Sequence, residues 1–253
     1  MRLESQTAIV TGAGGTGGIG EAIARRFVSE GARVVVCDID AEKARNVAAA
    51  LGPNAMPWMC DVSRSDQVEA MVAGTVRAFG RLDILVNNVG FTVPGLLREL
   101  TDEAWQHVVN GCLSSTFYGT RAALKPMREQ KGGSIVNISS AAGMGGAPGL
   151  GAYGAAKAGV ISLTRTAAVE NFKSGVRVNC VLPNAATKAL TDWFDATPAG
   201  RKTRASIEAY SRCGSPDEIA AAVLFLACTD SAYVNGAILP VDGGLSSRVA
   251  CID

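Results

Sequence analysis

Tyr153 and Lys157 stand four residues apart in a stretch of helical spacing, which puts both side chains on one face. A free phenol ionises near about pH 10 and is a poor base at neutral pH, but a neighbouring ammonium favours the phenolate and lowers that value. Ser140 precedes Tyr153 by thirteen residues and follows a β-branched run, Ser134 to Ile138, so its hydroxyl can hold a substrate oxygen while a proton moves. The three read together as a proton-transfer unit. A Tyr-x-x-x-Lys pair on its own is an ordinary pair on a helix, and its weight here comes from the company it keeps.

Part of that company is a glycine-rich segment, Thr11-Gly12-Ala13-Gly14-Gly15-Thr16-Gly17-Gly18-Ile19-Gly20, set between a first apolar run and a first helical pattern. Glycines let the backbone turn tightly and approach a pyrophosphate, while a helix amino terminus offers free N–H groups to it. The G-x-G-x-x-G pattern fits in two registers, from Gly12 and from Gly15. Asp38 ends the second apolar run eighteen residues after Gly20, where a carboxylate can accept hydrogen bonds from adenosine ribose hydroxyls. Its charge would repel a ribose 2′-phosphate, and Ile39 rather than a basic residue follows, so NAD is expected over NADP. Asp38 could instead cap the helix beginning near Ala41, but Asp40 is better placed for that.

These residues need a frame. Short runs rich in β-branched residues, expected as strands, occur at Thr7 to Thr11, Arg33 to Cys37, Met56 to Cys60, Ile84 to Asn87, Ser134 to Ile138, Val176 to Val181 and Ala237 to Val241. Helical spacing fills Ile19 to Ser29, Ala41 to Leu51, Asp66 to Phe79, Asp102 to Gln130, Tyr153 to Phe172 and Pro216 to Ala227. Strict alternation implies an α/β fold, a doubly wound (Rossmann) parallel sheet with helices on both faces and ligands bound beyond the carboxyl ends of the strands. One domain is expected over 1–253. Pro183 to Ser215 reads as a long irregular stretch, and residues 184–215 as a substrate lid.

Lys plus Arg number 24 and Asp plus Glu 23, a formal charge of +1, which leaves no electrostatic footprint of a nucleic-acid binder. No apolar stretch approaches the roughly 20 residues of a membrane span, and the start lacks a signal-peptide pattern. A cytoplasmic location and a small-molecule partner follow as expectations. Seven cysteines without paired C-x-x-C spacing read as buried free thiols, and the single histidine, His107, has no second histidine to share a metal, so no metal site is expected.

In series, these motifs resemble the short-chain dehydrogenase/reductase family over nearly the whole chain. The glycine turn, Asn87-Asn88-Val89-Gly90, Ser140, Tyr153 to Lys157, Asp61-Val62, Gly214 to Ala220 and Val241-Asp242-Gly243-Gly244 are similar to that family's elements. The resemblance implies an oxidoreductase with Ser140, Tyr153 and Lys157 as catalytic residues. It implies cofactor contacts from Gly14, Gly18, Ile19, Gly20, Asp38, Asp61, Val62, Asn88, Gly90, Tyr153, Lys157 and Ala186, and a homo-oligomer, tetramer or dimer, formed through the long helices.

Four positions depart from the family. The glycine turn carries two extra residues, so Gly12 or Gly14 could serve as its first glycine, and Gly14 is taken here. Val89 replaces an alanine. Cys112 stands where a catalytic asparagine is usual, with Asn110 two residues earlier facing elsewhere on the helix; a thiol is a weaker hydrogen-bonding group than an amide, which weakens an expected proton relay to the lysine. Pro183-Asn184 replaces Pro-Gly, and Thr187 falls one residue short of the family's threonine.

The expected activity is hydride transfer between NAD(H) and a secondary alcohol or ketone. Phe91, Met144, Leu190, Trp193 and Phe194 are expected to rim a largely apolar pocket. Two other readings stand beside it: an NAD-binding regulator that has lost efficient turnover, favoured by Cys112 and Asn184, and a methyltransferase with a similar glycine-rich sheet, which would not need Tyr-x-x-x-Lys.

Overall fold

Alternation along the strands decides which way the sheet faces. Ala8, Val10, Val34, Val36, Ile84, Val86, Val136 and Ile138 point into one buried cluster, while Ile9, Val35, Cys37, Leu85 and Ile135 point into another. A sheet apolar on both faces must be covered on both, and it is. The computed structural model describes residues 1–185, 187–209 and 212–247.

Seven parallel strands, β1 (Thr7–Thr11), β2 (Arg33–Asp38), β3 (Ala55–Met59), β4 (Ile84–Asn87), β5 (Gly133–Ile138), β6 (Val176–Pro183) and β7 (Ile238–Val241), lie in the order β3-β2-β1-β4-β5-β6-β7. The order reverses beside β1, between β1 and β4, so the crevice for a ligand opens there. Helices α1 (Ile19–Ser29) and α9 (Pro216–Ala227) cover one face, with α2 (Ala41–Leu51) beside them. The other face carries α3 (Ser65–Phe79), α5 (Ser115–Glu129) and α6 (Gly151–Asn171). Pro57 sits in β3, which pairs only with β2 and so needs no further ladder donor on its outer side.

Two stretches differ from the sequence reading. The long helix expected over Asp102 to Gln130 is α4 (Asp102–Val109), a wide π turn over Asn110–Ser114, and then α5. The Ser115 and Thr116 hydroxyls donate to the Gly111 and Cys112 carbonyls at 2.6 and 2.9 Å, which supports the widened turn. The stretch expected to be irregular holds two helices, α7 (Lys188–Ala196) and α8 (Pro198–Glu208). Thr187 caps the first; Thr197 caps the second, with Pro198 at its first position. Among the described residues no helix is long and apolar enough to cross a membrane.

Candidate active site

The turn between β1 and α1 is closed by geometry that only glycine allows at two positions. Gly12 holds φ at 62°, and a Cβ on it would lie 3.0 Å from Val89 Cγ2. A Cβ on Gly20 would strike the Gly12 carbonyl and come within 2.7 Å of Asn88 Nδ2, so the start of α1 seats directly against the turn. Asn88 fixes the other side, donating from Nδ2 to the Thr11 and Gly12 carbonyls at 2.9 and 3.2 Å.

The two glycines that could open the turn are placed differently by the structure. Gly12 lines the cleft together with Gly18, Ile19 and Gly20, whereas Gly14 does not. Gly14, the position expected for the first glycine, turns back instead, and its N–H donates to Asp38 Oδ2 at 2.9 Å. Asp38 Oδ1 accepts the Asp40 N–H at 3.1 Å, and Asp40 caps α2 as its position suggested. Two backbone donors thus hold the Asp38 carboxylate at the lip of the cleft, with lone pairs to spare.

A cleft of about 720 Å³ runs from Asp38, Asp61 and Val62 past the glycine turn to Asn88, Gly90, Tyr153 and Lys157. Every cofactor residue expected from the sequence lines it except Gly14 and Ala186; Ala186 lies outside the described residues. Ser140 is one step back, capping the short turn Ala141–Gly143 through the Ala142 N–H at 3.2 Å. That turn packs tightly on α6, since a Cβ on Gly143 would lie 2.7 Å from the Lys157 carbonyl carbon. Close packing brings Ser140 to Tyr153. Burial pushes the Tyr153 phenol above its ordinary value, its hydrogen bond with Ser140 pulls it back, and the Cys112 thiol adds to the rise.

Lys157 is 1% exposed, and burial lowers its ammonium below the ordinary lysine value. Its Nζ donates to the Ile138 carbonyl at 2.8 Å and the Val89 carbonyl at 3.4 Å, and lies 5.7 Å from the centre of the Tyr153 ring. Those carbonyls compensate part of the cost of burying a charge. Gly90 leaves room for it: a Cβ there would come within 2.8 Å of Nζ. From β4 a buried amide chain runs toward the same helix. Asn87 donates to Asn137 at 2.9 Å, and Asn137 to Thr164 of α6 at 3.0 Å.

Sequence reasoning missed part of the wall. His107, Asn110 and Gly111 line the cleft, the first from the end of α4 and the other two from the π turn. Asn110 and Cys112 do face apart, but it is Asn110 that meets the cleft, while Cys112 is buried with Val108, Ala152 and Ala156. Phe91 lies over Gly111, where a Cβ would collide with its ring, and stacks on His107 with centroids 4.6 Å apart. Of the five residues expected to rim the pocket, Phe91 lines the cleft, whereas Phe194 is 2% exposed and packs within the α7–α8 pair. Thr187 and Lys188 line it from the start of α7. Asn184 Nδ2 is the buried side-chain polar atom left without a partner among the described residues.

The geometry can be set beside known proteins. A family model described as enoyl-(acyl carrier protein) reductase matches residues 12–246. The crystal structure of a protein from Burkholderia xenovorans assigned to the short-chain dehydrogenases/reductases superposes with a TM-score of 0.92 at 36% identity, covering 98% of this chain and 99% of that one. This chain belongs to that family.

Its relatives within the short-chain dehydrogenases/reductases include the (2S)-((R)-hydroxy(phenyl)methyl)succinyl-CoA dehydrogenase subunit BbsD of Thauera aromatica, 40% identical over 97% of this chain and 98% of that protein. The 3-oxoacyl-(acyl-carrier-protein) reductase FabG of Thermotoga maritima is 38% identical over 97% and 99%. Meso-2,3-butanediol dehydrogenase of Serratia marcescens is 36% identical over 98% and 97%. The protein is therefore an oxidoreductase of the nicotinamide-dependent kind. Its residues fit such a cofactor: a cradle at Gly12 and Gly20 that side chains would fill, a helix amino terminus behind it, and a fixed carboxylate at one end with a phenol and an ammonium at the other.

Proposed function

We propose that this short-chain dehydrogenase/reductase exchanges a hydride between NAD(H) and a secondary alcohol or ketone, with Tyr153 as the acid and base. The observation that carries the reading is the convergence of Ser140, Tyr153 and Lys157 at one end of a cleft whose other end presents the Asp38 carboxylate. When bound, the cofactor accepts or donates the hydride. In the reducing direction Tyr153 gives its phenolic proton to the carbonyl oxygen, and Ser140 holds that oxygen by hydrogen bonding. In the oxidising direction the phenolate takes the hydroxyl proton back. Lys157 keeps a positive charge beneath the ring and holds the nicotinamide ribose.

Asp38 supports NAD over NADP, because its carboxylate is pinned by the Gly14 and Asp40 N–H groups and cannot easily withdraw from a 2′-phosphate. The relatives named above work on a CoA thioester, an acyl-carrier-protein thioester and a free diol, so what they share with the proposal is the alcohol or carbonyl group and not its carrier. The proposal extends to a homo-oligomer built on α5 and α6, whose outer faces expose Phe117 and Val169. Steady-state assays of secondary alcohols and ketones, free and as CoA thioesters, with NAD(H) and NADP(H) test the reading. Turnover of at least one such pair with NAD(H) preferred is expected; binding of NAD without turnover of any would favour the regulator instead.

A further inference from the structure

The two extra residues of the glycine turn change what surrounds the middle of the cleft. Gly17 holds φ at 73°, and its N–H is taken by the Glu21 carboxylate at 3.0 Å. One backbone donor is thereby used up beside the amino terminus of α1, and a negative charge stands near it, offset on its far side by Arg25 at 3.5 Å. The Gly17 carbonyl accepts the backbone N–H of Lys188 at 3.3 Å, and a Cβ on Gly17 would lie 3.2 Å from Lys188 Cβ. Helix α7 therefore begins on the glycine turn. Lys188 lines the same cleft as Gly15, Gly18 and Ile19. Its ammonium is paired for now with Asp192 at 2.7 Å, both side chains being well exposed at 67% and 61%. An exposed pair of this kind contributes little stability and exchanges readily.

We propose that Lys188 is a phosphate ligand of this cleft: its ammonium leaves Asp192 and binds the diphosphate of the dinucleotide against the amino terminus of α1. The long flexible stem of lysine suits such a swing, and a compact ammonium suits a phosphate as a point charge. Lys188 thus replaces the donor that Glu21 occupies and ties the start of α7 to the cofactor. The inference rests on the reading that the cleft holds a dinucleotide.

Calorimetric titration with ADP-ribose, which carries the diphosphate without the nicotinamide, tests it on the wild type and on Lys188→Gln, Asp192→Asn and Lys202→Gln. Lys202 lies on α8 away from the cleft and controls for general loss of positive charge. Lys188→Gln should weaken ADP-ribose by about five- to twentyfold, as for a charge-assisted hydrogen bond partly open to solvent, and should flatten the dependence of affinity on salt. Asp192→Asn should tighten binding about two- to threefold by releasing the lysine. Lys202→Gln should match the wild type. Wild-type affinity in Lys188→Gln, or an equal loss in Lys202→Gln, overturns the inference alone. A wild-type protein that fails to bind ADP-ribose overturns it together with the dinucleotide reading.

Discussion

The Cys112 thiol bridges the peptide of Phe91, with Sγ 3.5 Å from the Phe91 amide nitrogen, from which it accepts, and 3.3 Å from its carbonyl oxygen, to which it donates. A side-chain amide can make the same two contacts with stronger groups. The substitution that looked like a loss of chemistry is therefore a way of holding the strand-end loop to the π turn. Cys112→Ala should lower stability by about 1–3 kcal/mol, through a cavity at a fully buried site and two lost bonds. Cys112→Asn should recover most of that, because Oδ1 can accept from the Phe91 N–H and Nδ2 can donate to its carbonyl. Melting temperatures of the two variants check the pair; an asparagine variant no more stable than the alanine one would show that the bridge matters less than the volume.

Lys157 passes the loop only because Gly90 lacks a side chain. Gly90→Ala would place a methyl group 2.8 Å from Nζ and 3.1 Å from Cε of a lysine that is anchored at the Ile138 carbonyl and cannot retreat. Overpacking of this kind costs about 1–3 kcal/mol, and displacement of the ammonium from its carbonyls should also weaken NAD. Thermal melting and an NAD titration on one variant measure both effects.

Asp38, proposed to recognise the adenosine, also fixes the shape of the turn through the Gly14 N–H. Asp38→Ala should weaken NAD by about tenfold, the cost of losing hydrogen bonds to a charged acceptor, and should narrow or reverse the preference over NADP. Asp38→Asn keeps an acceptor for the Gly14 N–H but removes the charge, so it should relax the NADP discrimination with less loss of NAD. Fluorescence titration of both cofactors decides; a wild-type preference for NADP would contradict the assignment.

The sign of the pH dependence follows from the phenol. Burial holds Tyr153 protonated above the ordinary tyrosine value, and the Ser140 hydrogen bond acts against that. The rate of alcohol oxidation, which needs phenolate, should therefore rise with pH through the alkaline range, while carbonyl reduction, which needs the phenol, should fall there. Ser140→Ala removes a cause that lowers the Tyr153 value, so its oxidation profile should shift to higher pH, with kcat/KM about 10²–10⁴-fold lower at neutral pH. A profile left in place would detach Ser140 from the phenol.

Much of this was readable from residue order because strands buried on both faces are continuous apolar runs and helices keep their spacing; α1 and α2 begin and end where the pattern does. The order Gly18, Gly20, Asp38, Ser140, Tyr153, Lys157 was readable because each falls at or just after the end of a strand or on a helix that follows one. The different settings of Gly12 and Gly14 were not, since both satisfy the pattern, and only the folded turn puts Gly12 in the cleft and Gly14 on Asp38. The π turn was hidden inside a continuous helical pattern, and with it the cleft-facing places of Asn110 and Gly111. Helices α7 and α8 were hidden by charges and a proline, although Thr197-Pro198 is a start signal that the charge pattern obscured.

If Tyr153 moves the proton, Tyr153→Phe should stop turnover without disturbing the fold. The ring can keep its packing on Val108, Cys112 and Ala156, and only the hydroxyl is removed. The measurement is kcat with the best alcohol or ketone found, alongside NAD affinity by titration. Turnover should fall by at least about 10²–10⁴-fold with NAD affinity within a fewfold of wild type; a variant that keeps most of its turnover would rule out Tyr153 as the proton carrier.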